Sequence, residues 1–162
     1  MKKVLSVTVA FLALAMSAIP LPALPGNQDR DENQSARSRF IGAWRFVSLE
    51  APGSDGKIQK ADSTGLFVFT RDGHASVQVM ERNPPPQTQA APEQYSYGGY
   101  EATFGTYEVD ESAHTFVFHV EGALVRTLIG KNLPRSFEFS GNQLIVKSTR
   151  PEEHWKVTWE RY

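Results

Sequence analysis

Phe40-Ile41-Gly42-Ala43-Trp44-Arg45-Phe46-Val47 reads as a short helical turn running into a β-strand, and Trp159-Glu160-Arg161-Tyr162, at the other end of the 162-residue chain, reads as its partner. From Ile41 onward apolar and polar residues alternate with period two, the spacing of a strand with one buried face. Trp44, Phe46 and Ser48 share one face of this first strand, and Ala43, Val47 and Leu49 the other. A Trp on the first strand and an Arg on the last can stack, a guanidinium over an indole. The two ends of the chain therefore suggest a sheet closed on itself.

Working outward, the next pair of strands tests that reading. Asp72-Gly73 is a strong turn signal between residues 65–70 and 74–81. With Thr70 opposite His74, Phe69 meets Ala75, Phe67 meets Val77 and Gly65 meets Val79, which places one apolar set on a single face. The last three strands agree in the same way. Phe139 meets Leu144, Phe137 meets Val146 and Arg135 meets Ser148 across Gly141-Asn142; Leu144, Val146 and Ser148 then meet Trp159, Val157 and Trp155. The shared face is apolar except for Arg135, Ser148 and Arg161 and should be the inside. Residues 101–109 and 114–122 form a further hairpin across Asp110-Glu111-Ser112-Ala113, residues 51–63 read as a loop, and residues 123–132 read as a less regular connection with a helical turn. The sum is all-β, an eight-stranded antiparallel up-and-down barrel, a size that leaves room for one small ligand.

Residues 82–99 break the pattern with Pro84-Pro85-Pro86, Pro92 and several Gln and Ala, and lead into Tyr95, Tyr97 and Tyr100. A segment of this length in a small domain is either a solvated loop or a lid whose tyrosines close over an apolar ligand.

The N-terminal residues have a different character. Lys2 and Lys3 precede an apolar run broken only by Ser6, Thr8 and Ser17, followed by small residues, Pro20, Pro22 and Pro25. This is the order of a secretory signal peptide over residues 1–23, shorter than the ~20 apolar residues of a membrane span. An exported, periplasmic or secreted protein with no stable membrane span follows. Residues 24–39, of which Gly26 to Arg39 have no apolar residue larger than Ala, should form a flexible tail ahead of a single domain at 40–162. A formal net charge of -1 gives no electrostatic case for nucleic acid. The absence of cysteine excludes disulfides and thiolate chemistry.

Further stretches resemble one family. Gly42-Ala43-Trp44 has the Gly-x-Trp form that opens lipocalin-type barrels, and Arg161 stands where their C-terminal Arg packs over that Trp. Together with residues 65–78, Gly105-Thr106-Tyr107-Glu108-Val109, His119-Val120-Glu121-Gly122 and Arg135-Ser136-Phe137-Glu138, the chain resembles small lipocalin-like domain proteins over nearly all of residues 40–162. The resemblance implies a calycin-type barrel with a cavity, and a structural role for Gly42, Trp44 and Arg161. Most members have no assigned activity, and a few are thought to be cyclases or isomerases of hydrophobic natural products.

His119, Glu121 and Arg135 are the sharpest candidates for chemistry. If their strands pair symmetrically about Thr127, His119 lies opposite the inward Arg135 and shares a face with Glu121. Arg135 would then meet a carboxylate or enolate oxygen and His119 would move a proton. A one-residue change of register instead turns Phe116, Phe118 and Val120 inward and His119 to the surface. Arg135 has a second structural reading, an internal salt bridge to Glu121. No cofactor fingerprint, nucleophile motif or two-His metal spacing is present, since His114 and His119 fall on opposite faces. The expected function is binding of a small hydrophobic or amphipathic ligand in a cavity lined by Phe67, Val77, Phe104, Phe137, Val146 and Trp155, with His119, Glu121 and Arg135 as polar contacts. The alternatives are a cofactor-free isomerase or cyclase using His119 and Arg135, and a filled barrel acting as an envelope interaction module. The oligomeric state is left open.

Overall fold

The structure, a computed structural model, describes residues 35–53, 55–84 and 95–162. The expected signal peptide, the first part of the expected tail and residues 85–94 of the proline-rich segment lie outside the described residues.

A short helix, α1 (Ala36–Phe40), leads into nine strands: β1 (Gly42–Pro52), β2 (Ile58–Lys60), β3 (Ser63–Phe69), β4 (His74–Glu81), β5 (Tyr100–Asp110), β6 (Thr115–Ala123), β7 (Asn132–Ser140), β8 (Gln143–Ser148) and β9 (Lys156–Arg161). Each of β3 to β8 pairs antiparallel with its successor, and β1 pairs with both β3 and β9, so eight strands close into an up-and-down barrel. The ninth strand, β2, lies within the stretch expected to be loop and pairs only with the far end of β1. The expected tail also ends earlier than its composition suggests. Ser35 caps α1 by accepting from the Ser38 amide, so Ala36 to Arg39 are helical. Among the described residues no helix is long and apolar enough to cross a membrane.

The hairpin registers follow from short turns and one-sided hydrophobicity. Phe69, Phe67 and Gly65 meet Ala75, Val77 and Val79, and Phe137 and Phe139 meet Val146 and Leu144. Two bulges re-aim the alternation elsewhere. In β1, Phe46 pairs with Trp159 and Ser48 with Thr158, leaving Val47 as the extra residue. Val47 is exposed; Leu49, expected on the opposite face from Trp44, turns inward, and so does Ala51, from the stretch expected to be loop. In β6, Glu121 is the extra residue between Gly122, opposite Phe104, and Val120, opposite Gly105. A side chain at Gly105 would stand 1.9 Å from the His119 carbonyl oxygen, so this close approach needs glycine.

One end of the barrel is a solid aromatic floor. Phe40, fully buried, is carried in by α1 and packs at 4.9–5.2 Å against Phe69, Phe116, Phe137 and Phe139, in edge-on geometry. Trp44 Nε1 donates to the Phe40 carbonyl at 2.7 Å. The Arg161 guanidinium lies 4.3 Å from the Trp44 ring and donates to the carbonyls of Ile41 (2.8 Å) and Arg39. Gly42 has φ +129°, and a side chain there would press on Arg161 at 2.9 Å, so the Gly-x-Trp-Arg constellation is one packed unit.

Candidate functional site

Away from this floor the strands diverge around a cavity of about 360 Å³. Its walls are mostly apolar: Phe46 and Leu49 from β1, Phe67 from β3, Val77 and Val79 from β4, Phe116 and Phe118 from β6, and Val146, Trp155 and Trp159 from the last strands and the turn before β9. Ser63, Glu81, Tyr95, Ser96, Glu101 and Arg135 are the polar groups among them. Apolar walls with a few placed polar groups are the usual anatomy of a small-molecule site.

Arg135 is buried, with 7 % of its surface exposed. Pairing with Ser148 and Phe116 turns it inward. Its guanidinium lies 4.9 Å from the Trp155 ring and 5.1 Å from that of Tyr95. Nη1 donates to the Pro134 carbonyl at 2.9 Å. Among the described residues, no carboxylate stands within 4 Å of it. Glu153 secures the aromatic walls instead. It accepts from Tyr95 OH at 2.9 Å and Trp155 Nε1 at 3.0 Å and pairs with Arg150 at 3.0 Å. Burial raises its pKa, but bonds from Ser148, Tyr95 and Trp155 and the charge of Arg135 outweigh burial and hold the carboxyl below its usual range.

Glu101 faces the same cavity. Its opposite residue on β4 is Val79, from the inward set of that strand. Burial pushes its carboxyl up to about 7, against the opposing pull of Arg135. Thr103, two residues on, also faces inward opposite Val77. The hydroxyls of Ser63 and Thr103 are buried and have no hydrogen-bond partner among the described residues.

The inward positions expected for Arg135, Phe67, Val77, Val146 and Trp155 are those observed, and all five line the cavity. His119 is placed elsewhere. Phe116 meets Arg135 and His119 meets Asn132, so the β6–β7 pairing is centred between Val125 and Arg126 rather than at Thr127. The odd shift turns Phe116, Phe118 and Val120 inward and His119 outward, where its Nδ1 lies 2.8 Å from Asn132 Oδ1 and its Nε2 4.0 Å from Glu108. Glu121 is exposed on its bulge, which removes the expected salt bridge to Arg135. Phe104 points outward against Gly122, and Phe137 belongs to the aromatic floor. Glu101, Glu153 and Ser63 were not among the expected site residues, whereas Tyr95 is one of the three tyrosines that the lid reading placed against a ligand. Extending the Val79 face one strand further would have found Glu101, but residues 82–99 intervene and hide that register.

Solved structures similar in fold include a lipocalin-like protein from Bacteroides uniformis (15% identity, 76% of this chain and 99% of that one, TM-score 0.45). An uncharacterised protein from Bacteroides eggerthii (14%, 76% and 99%, TM-score 0.46) and a point variant of the fluorescent protein UnaG (13%, 77% and 97%, TM-score 0.39) share the same likeness. No curated protein matches the chain. The family described as the lipocalin-like domain matches residues 41–162, so the chain belongs to the lipocalin-like domain family.

Proposed function

We propose that the protein is exported and binds a small hydrophobic or amphipathic molecule in the barrel, with the apolar body against Phe67, Val77, Phe118 and Trp155 and a polar end on Arg135. The observation that carries this reading is a buried guanidinium, within 4.9–5.1 Å of two aromatic rings and lining an apolar cavity of about 360 Å³, with no carboxylate within 4 Å of it among the described residues. A buried cation needs a partner to offset its desolvation. A bound ligand supplies one. The barrel interior also holds the hydroxyls of Ser63 and Thr103, which have no hydrogen-bond partner among the described residues. The cavity is hard to reconcile with a filled barrel serving only as an interaction module.

Native mass spectrometry of protein purified from its own cell envelope, followed by denaturing extraction, tests the reading. A co-purifying small molecule, or quenching of tryptophan fluorescence by N-phenyl-1-naphthylamine with loss of that signal in Phe118→Asp, is the expected result. A clean apo mass together with no binding of the probe would overturn it. Detection of the chain only in the cytoplasmic fraction would overturn export.

The position of Glu101 favours one second reading, a cofactor-free isomerase or cyclase. A carboxyl poised at about 7 and a guanidinium in one apolar cavity are the parts for proton abstraction with oxyanion stabilisation. Glu101 takes the place that the sequence assigned to His119. Turnover of a bound natural product that is abolished in Glu101→Gln, with binding retained, would support this reading over a carrier.

A further inference from the structure

We infer that the molecule this cavity takes is an amphiphile with a single acidic group, and that Glu101 takes up a proton as that acid seats on Arg135. The inference rests on the preceding reading of the cavity as a ligand site and adds the chemical class of the ligand and its coupling to pH.

The argument begins with charge. Arg135 is the only cationic side chain among the described residues lining the cavity. The groups around Glu101 are Val79 and Glu81 from β4, Arg135 from β7, Tyr95 from the segment before β5 and Thr103 on its own strand, with Glu153 behind Tyr95 and Trp155. Glu153 takes its hydrogen bonds from Arg150, Tyr95 and Trp155 and feels Arg135 only through its charge, with no hydrogen bond between the two among the described residues. Glu81 sits at the rim, where its amide donates to the Gly99 carbonyl at 2.8 Å. Glu101 is therefore the carboxyl that balances Arg135 when the cavity holds no acid.

Geometry then favours an acid as the ligand. The Trp155 and Tyr95 rings lie 4.9 and 5.1 Å from the guanidinium and meet each other at 75° with centroids 6.3 Å apart, so they flank it on neighbouring sides and leave another side to the cavity that Arg135 lines. A carboxylate matches the fork of a guanidinium with two parallel bonds. Of the five N–H donors a guanidinium has, one is bonded to the Pro134 carbonyl, and the Tyr95 hydroxyl lies within reach of the group.

A second carboxylate changes the balance. With the ligand acid and Glu101 both ionised, a surplus negative charge is left in an apolar cavity beside one guanidinium, and two carboxylates sharing such a site do not both ionise. The ligand acid takes the fork. Glu101, which burial already biases toward its neutral form, takes the proton. No covalent bond forms or breaks: an ionised acid and one solvent proton enter, and the proton rests on a Glu101 carboxyl oxygen. The resulting O–H is a donor for the ligand. A neutral alcohol of the same length leaves Glu101 as the counter-ion and takes up nothing.

Calorimetric titration of the mature protein with decanoate at pH 8, in phosphate and in Tris, reads the proton directly from the difference in heats. Decanol is the neutral control. The expected result is uptake of about one proton per decanoate, an affinity that falls about tenfold per pH unit above 7, and no uptake with decanol. In Glu101→Gln the uptake vanishes and the affinity for decanoate becomes flat between pH 6 and 8. If that variant does not fold, Glu101→Met serves for the same comparison, and the two-buffer result on the unaltered protein stands by itself. Decanoate binding without proton uptake, decanol binding without decanoate binding, or uptake that persists in the variant each overturns the inference while leaving the cavity a ligand site. If neither decanoate, decanol nor N-phenyl-1-naphthylamine binds, the ligand-site reading fails and this inference with it.

Discussion

The two ends of this barrel each stack an arginine on a tryptophan and use it differently. At the floor, Arg161 lies 4.3 Å from Trp44 and spends donors on the carbonyls of Ile41 and Arg39, tying α1 to the first strand. In the cavity, Arg135 lies 4.9 Å from Trp155 and donates only to the carbonyl of its own neighbour, Pro134, among the described residues. Around the first guanidinium, Phe40 and its aromatic partners fill the space; around the second there is a cavity. The same residue pair thus serves as a latch where the core is full and as a receptor where it is not. What separates the roles is the supply of acceptors within the protein, not the stacking itself.

The strongest way to break this contrast is to empty the floor. Phe40→Ala should cost about 4 kcal/mol, the range for deleting a buried aromatic side chain, read from urea unfolding. Loss of binding to N-phenyl-1-naphthylamine should follow only from unfolding, since Phe40 does not line the cavity. A cost under about 1 kcal/mol would mean that α1 is a loosely held appendage, within the range of an ordinary surface change. The paired arginine substitutions sharpen the comparison next. Arg161→Met should cost about 2 kcal/mol through the lost stack and carbonyl bonds and leave decanoate affinity unchanged once the protein is folded. Arg135→Met should change stability by less than about 1 kcal/mol, because removing a buried charge offsets the lost stacking, yet reduce decanoate affinity at least about tenfold. Equal effects of the two variants on stability and binding would erase the distinction.

The floor was far more legible in the sequence than the cavity. The hairpins across Asp72-Gly73 and Gly141-Asn142 have turns too short to permit a slip, so each cross-strand pair from Phe69–Ala75 to Phe137–Val146 follows from the turn and one-sided hydrophobicity. The second of these hairpins carries the inward Arg135, and the Trp44–Arg161 closure joins the strands beside them, β1 and β9. The β6–β7 register did not yield to the same argument. A 3₁₀ turn at Arg126–Leu128 and a left-handed Gly130 sit in the connection and shift its centre away from Thr127, which turns His119 out. The bulges at Val47 and Glu121 depend on strand curvature, and the residues around them show no matching irregularity. Glu101 was missed because its register with β4 spans the proline-rich segment.

Glu101 offers a smaller and pH-dependent test of the open end. Burial raises its carboxyl to about 7 in the folded protein from an ordinary value of 4.5. Below 4.5 the group is protonated in folded and unfolded chains alike and contributes no pH dependence. Between 4.5 and about 7 the unfolded chain has released the proton that the folded chain still holds, so stability falls as pH rises, and above 7 the loss is complete. Glu101→Gln removes this slope. The variant should match the parent near pH 4.5 and exceed it by about 2 kcal/mol at pH 8, measured by urea unfolding at both pH values. A parent stability that rises from pH 5 to 7 to the same degree as the variant's would show that the carboxyl is solvated rather than buried.

The smallest effect is expected at His119, and it discriminates between the two β6–β7 registers. On the outer face, with Asn132 at 2.8 Å and the Glu108 carboxylate at 4.0 Å, the imidazole makes half-exposed polar contacts of the kind worth well under about 1 kcal/mol. His119→Ala should therefore shift stability by about 0.5 kcal/mol and leave the affinity for decanoate and its proton uptake within error of the parent. Were His119 opposite Arg135, as symmetric pairing about Thr127 requires, the same substitution would open space beside the guanidinium and change both readouts. A loss of decanoate affinity comparable to that of Arg135→Met would restore that register. An unchanged affinity leaves Glu101 as the titrating group within reach of Arg135 in the cavity, and confines His119 to the outer surface, where the bulge at Glu121 and the register set by Asn132 have put it.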